Sequence, residues 1–134
     1  MNRPTVLRAA VAIGSLVIGA VHLRLYLTAY RDVPIENLGR SFVLNAIAAT
    51  FAAVIVLVVA SRWANLVPLI VANAALVAFG LSRTDRGILG FTEQGWTPTP
   101  DAAVAVLAEI VTAVLCVMAL ASHHTKTATD PPAS

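Results

Sequence analysis

An all-α integral membrane fold, an antiparallel bundle of four transmembrane helices, follows from three properties of the chain. Of its 134 residues, 58% are hydrophobic and 12% charged, whereas a soluble domain carries roughly 25% charged residues. Four apolar stretches, at residues 5–27, 41–60, 63–81 and 100–121, are each long enough to cross a hydrocarbon core about 30 Å thick. Residues 41–60 and 102–121 also lack the polar face that a water-soluble bundle would need. Unpaired backbone groups are too costly in hydrocarbon, so all four stretches are expected to be helices, forming one domain over residues 1–121.

The first stretch opens as "MNRPTVLRAAVAIGSLVIGA", with Arg3 and Arg8 ahead of an apolar run, which imitates a signal peptide. The helical pattern continues to Tyr26 and three more spans follow, so an uncleaved first helix is expected. Within it Ala12, Ser15, Gly19, His22 and Tyr26 are spaced three, four, three and four residues apart and share one face. That face is lined with small residues, which mark close approach of membrane helices. Arg24, rotated about 200° from His22, is expected to snorkel toward headgroups.

The connection "TAYRDVPIENLGR" contains Pro34 and Gly39 and mixes charges with Val33, Ile35 and Leu38, which suits a segment lying along the interface. In the second span Ser41, Asn45, Ala48 and Ala52 repeat the small-residue face. The very short "SRW" around Arg62 forces an antiparallel hairpin. The third span carries Asn73, and Asn65 with Pro68 either delays its start or kinks it. The next connection, "SRTDRGILGFTEQGWTPT", reads as a flexible loop with Phe91 and Trp96 as aromatic anchors. In the fourth span Thr99 is expected to cap, Pro100 to take the first helical position and Asp101 to meet the positive helix end. There Ala102, Ala105, Glu109, Thr112, Ala113 and Cys116 share a face opposite Leu107, Val111, Val114 and Met118. The polar tail, residues 122–134, reads as disordered.

The polar residues inside the spans are few, and each needs a partner because lipid offers none. His22, Asn45, Asn73 and Glu109 form the candidate intramembrane site. His22 and Asn45 fall within about two turns of the long-loop boundary, and Glu109 lies about 14 Å in from Pro100. The polar groups therefore collect in the half of the bundle that faces the two long connections, while Ile13, Leu57 and Leu115 are expected to fill the other half by plain packing. Glu109 is expected to be protonated or to meet His22, Arg24 or an amide such as Asn73. Tyr26, Arg24, Arg31, Glu36, Arg83 and Glu93 form a second, loop-side candidate site. The arginines of that side, Arg24, Arg31, Arg40, Arg83 and Arg86, read mostly as snorkelling anchors and, as a set, are able to hold an anionic headgroup or to pair with Asp32, Glu36 and Asp85.

Other chemistries find no footing. The nine basic residues are scattered singly, which speaks against nucleic-acid binding. The sequence shows no nucleophile elbow, phosphate loop, HExxH or paired-carboxylate signature and so assigns no catalytic residue, and the lone Cys116 excludes a CxxC site. One histidine within the membrane cannot hold a haem between two helices of one chain. No metal site is expected, and the sequence identifies no cofactor.

At "GAVHLRLYLTAYRDVPIENLGRSFVLNA" and "LSRTDRGILGFTEQGW" the chain resembles small uncharacterised bacterial four-span membrane proteins, with a histidine ending the first span and an asparagine early in the second. In architecture it also resembles the DoxX-like group, which implies a small subunit of a membrane oxidoreductase. The first expectation for function is accordingly a non-catalytic accessory subunit or binding module of a larger membrane assembly, packed against other subunits or a second copy in the bilayer. The alternative is a lipid-, quinone- or proton/cation-binding protein using Glu109 and His22. Both termini are expected on one side of a bacterial plasma membrane, the cytoplasmic one.

Overall fold

The computed structural model describes residues 3–122. The polar tail read as disordered lies, but for Ser122, outside the described residues. Four long helices are α1 (Arg3–Leu25), α2 (Leu38–Val58), α3 (Leu66–Ser82) and α4 (Asp101–Ala121). A π turn (Tyr26–Tyr30) extends α1, and a 3-10 turn (Arg62–Asn65) precedes α3. The spans long and apolar enough to cross a membrane are Thr5–Tyr30, Leu38–Val58, Arg62–Ser82 and Asp101–Ala121. The chain is thus an integral membrane protein built as a four-helix bundle. α1 packs extensively on α2 and α4, α3 packs on α4, and α2 meets α3 most sparsely of the neighbouring pairs.

Lipid is as apolar as leucine, so the bundle is held by close packing rather than by burial of large side chains. The interior is accordingly rich in small residues: Ala12, Ala49, Ala52, Ala53, Ala72, Ala102 and Ala105 are buried beside Val11, Ile18 and Val56, while Leu44, Ile70, Leu107 and Val114 face outward. Ile13 and Leu57 also face outward, which corrects their assignment to the interior; only Leu115 packs inside, on Val11, Val56 and Cys116. At Gly19 a Cβ would come within 3.1 Å of the Ala46 carbonyl on α2, so only glycine allows that approach without displacement.

Several element ends differ from expectation for identifiable reasons. α2 starts at Leu38 behind Asn37, whose φ of 67° is left-handed. Gly39 is therefore not a loop breaker: it lies in the first turn of α2, where a Cβ would meet the Tyr30 carbonyl at 3.1 Å and the Tyr26 ring at 3.2 Å. α2 ends under Arg8, whose guanidinium donates to the carbonyls of Val56, Leu57 and Val59 at 2.8–3.3 Å. Pro68 falls in the first turn of α3, where its missing N–H costs nothing. Thr99 does not cap α4, because its hydroxyl donates to the Trp96 carbonyl at 2.8 Å. Pro100 precedes the helix, and Asp101 occupies the first turn.

The long connection after α3 is tied down rather than loose. Ile88 and Phe91 exchange backbone bonds of 2.9 and 2.8 Å across a tight turn, and the Glu93 N–H donates to the Ser82 carbonyl at 2.8 Å. The turn requires positive φ at Gly87, Leu89 and Gly90. In the first connection Val33 and Ile35 pack onto the buried cluster of Leu25, Tyr30, Leu38 and Ala105.

Candidate functional site

Three of the four intramembrane candidates converge. His22 of α1 is 7% exposed, Glu109 of α4 is 2% exposed, and half-buried Asn45 of α2 reaches them from the third side. The periodicity that puts His22 on the Ser15–Gly19 face and Glu109 on the Ala105–Thr112 face is what aims them at each other. Asn73 does not join them. It faces outward on α3 and gives one amide N–H to the Leu69 carbonyl at 2.8 Å, a local bond that lowers the cost of an amide on the lipid face.

The hydrogen bonds fix the histidine tautomer. His22 Nδ1 lies 3.0 Å from the Ile18 carbonyl, which can only accept, so Nδ1 carries a proton. In the neutral ring Nε2 then accepts from Asn45 Nδ2 at 3.0 Å. Glu109 Oε1 lies 3.6 Å from the same Nε2, beyond direct hydrogen-bond reach. With the Nε2 lone pair taken by Asn45, a neutral pair, as hydrocarbon surroundings require, keeps the remaining proton on the Glu109 carboxyl. Two acceptors are left over: Glu109 Oε2 and Asn45 Oδ1 are buried without a partner.

His22, Asn45 and Glu109 line a cavity of about 440 Å³, within the usual range for small-molecule sites. His22, Asn45 and Glu109 form its polar base, and its walls are mainly apolar, from Ala74, Ala75, Ala78 and Phe79 on α3 to Leu44 and Ala48 on α2. The space exists because α3 presents alanines where leucines would have closed it. It reaches the outer surface between α2 and α3, where Leu44 and Ile70 are exposed.

The loop-side end is closed by a polar latch. Tyr30 donates to Glu93 Oε2 at 2.7 Å, and Arg83 Nη2 lies 3.5 Å from the same oxygen. Arg83 also donates to the carbonyls of Gly95 and Thr97 at 3.0 and 2.8 Å and lies 3.8 Å over the Phe79 ring. Tyr30 stacks on Phe42 at 4.3 Å and meets Phe91 edge-on at 5.7 Å.

Of the loop-side candidates, then, only Arg83 and Glu93 come together. Arg24 pairs through Nε with both oxygens of Asp101 at 2.9 and 3.1 Å instead of only reaching for headgroups. It bridges α1 to the start of α4 and does not meet Glu109. Among the described residues the Arg31 side chain pairs with its exposed neighbour Asp32, at 3.4 Å. Glu36 is exposed and stands apart, and Tyr26 packs beside Gly39. Tyr30 is the residue that sequence spacing misses. The i→i+5 turn, with Arg31 N–H on the Tyr26 carbonyl at 2.8 Å, underwinds the helix and rotates Tyr30 toward the inward face.

The latch has a direct test. Tyr30→Phe keeps the ring stack and removes the hydroxyl, a loss of about 1 kcal/mol. Amide exchange in residues 83–98 is expected to rise several-fold while the centres of the four helices keep their protection. Unchanged exchange in the loop would show that the bond to Glu93 does not hold it.

Among the described residues no group of three His, Cys, Asp or Glu side chains comes together to hold a metal ion. Comparison of the chain with family models, curated proteins and solved structures gives no match.

Proposed function

We propose that this is a membrane-embedded binding protein for a small, mostly apolar molecule with a hydrogen-bond-donating head, entering from the bilayer between α2 and α3. The observation that carries the reading is the pair of partnerless buried acceptors, Glu109 Oε2 and Asn45 Oδ1, on two residues that line a 440 Å³, mainly apolar cavity. Leaving a buried polar atom unpaired costs about 1–3 kcal/mol, and a ligand hydroxyl would remove that cost. The apolar walls favour a lipid or a quinol-like ring over a bare cation. The latch at Tyr30, Arg83 and Glu93 covers the loop-side end, which leaves the lateral gap as the route of entry.

The ligand should survive extraction in native lipid. Mass spectrometry of the protein isolated in polymer-bounded native bilayers is expected to find a small hydroxyl-bearing apolar molecule at near-stoichiometric level. Two independent changes should lower its occupancy at least tenfold: Glu109→Leu, which removes the acceptor, and Ala78→Phe, which fills the cavity. Equal recovery from all three proteins would overturn the reading.

A second reading, a module that packs against another subunit or a second copy, is favoured by one feature. Asn73 presents its amide to the lipid face of α3, with exposed Gly80 seven residues along on the same side. A second polypeptide travelling with the protein in the same preparation, with no small molecule, would favour this reading.

A further inference from the structure

A second, smaller pocket of about 110 Å³ lies at the opposite end of the bundle, between the start of α1, the α2–α3 hairpin and the end of α4. Its chemistry differs from that of the central cavity. Arg8 and Arg62 both line it, together with Ser61 and Asn65, and among the described residues no carboxylate does. Arg8 spends Nε and Nη2 on the last carbonyls of α2, which leaves Nη1 outside those bonds. Asn65 is 4% exposed; its Nδ2 donates to the Arg62 carbonyl at 2.9 Å, while Oδ1 is buried without a partner. The positive N-terminal end of α3 begins at the same level. Ser61 Oγ accepts from the Trp63 N–H at 3.3 Å, so its own O–H is free to donate. The end of α4 contributes Ser122, whose hydroxyl is already given to the Met118 carbonyl at 2.6 Å.

This donor set asks for an anion, and the single orphan acceptor asks for one additional hydroxyl. Arg62 lies 4.7 Å over the ring of Trp63, an exposed tryptophan of the kind that marks headgroup depth. We propose that the pocket at Arg8, Arg62 and Asn65 binds the headgroup of an anionic phospholipid, its phosphodiester on the two guanidinium groups and a headgroup hydroxyl on Asn65 Oδ1. A glycerol headgroup meets both demands. A choline headgroup has no donor for Asn65, and the ammonium of an ethanolamine headgroup would face two arginines with no carboxylate among the described lining residues to balance it.

The test is native mass spectrometry of the full chain released from nanodiscs of equimolar phosphatidylglycerol, phosphatidylethanolamine and phosphatidylcholine. Phosphatidylglycerol is expected to be retained at least fivefold over either competitor. Arg62→Gln, on the open side of the pocket, should lower that preference about fivefold, the effect of one guanidinium near a bilayer surface. Asn65→Asp, which keeps the shape and adds a negative charge, should abolish it. Equal retention of the three lipids, an unchanged preference in Arg62→Gln, or displacement of the lipid by millimolar inorganic phosphate would each overturn the assignment. None of these outcomes depends on the central cavity.

Discussion

Replacing Glu109 by leucine is expected to leave the ligand-free bundle as stable as the parent or more so, by about 1–3 kcal/mol. The reason lies in its surroundings. Its carboxyl is buried, Oε1 stands 3.6 Å from His22 Nε2 and Oε2 has no partner. A leucine of similar volume removes that desolvation cost while preserving the packing against Ala105 and Thr112. His22→Leu should do the opposite. Both ring nitrogens are satisfied, by Ile18 and Asn45, so removing the ring strands the Asn45 amide and costs about 1–3 kcal/mol. The measurement is reversible unfolding in bicelles after delipidation. A residue kept only to hold helices together would give a destabilised Glu109→Leu, and the contrast in sign between the two variants is what separates a binding group from a fastening.

The second large effect concerns the contact between α1 and α4. A Cβ at Gly14 would collide with the hydroxyl of Thr112 and lie 3.3 Å from its Cβ. Thr112 is fully buried, so it cannot turn away cheaply. Gly14→Ala should therefore cost about 1–3 kcal/mol by overpacking. Thr112→Ala opens the space without breaking a bond, since Thr112 Oγ1 has no partner to lose. The double variant should accordingly recover most of the stability lost by Gly14→Ala, with a coupling of at least about 1 kcal/mol. Additive losses would mean that the helices meet elsewhere.

The spans and their inward faces were legible because a bilayer imposes one length and one conformation, and because small residues mark close contact. Helical spacing alone aims His22, Ser15 and Gly19 inward and leaves Leu107 and Val114 to lipid. What spacing cannot supply is a change of helical register, which hid Tyr30, or a local backbone bond, which lets Asn73 stand on the lipid face. Glycine was ambiguous for a related reason: Gly39 carries the same letter as a loop breaker but serves as a contact between Tyr30 and α2. The latch was half-visible, since Arg83 and Glu93 could be picked out as loop charges. Their shared partner could not, because the fold of the intervening turn depends on backbone bonds between Ile88 and Phe91 and between Glu93 and Ser82.

The central claim, that the space beside Glu109 holds a ligand, is tested most directly by an experimental density map of the protein in native lipid. The account predicts elongated density between α2 and α3 that is not protein, with a polar atom within about 3.2 Å of Glu109 Oε2. A map in which α2 and α3 close on each other and Glu109 bonds to its own chain would contradict it.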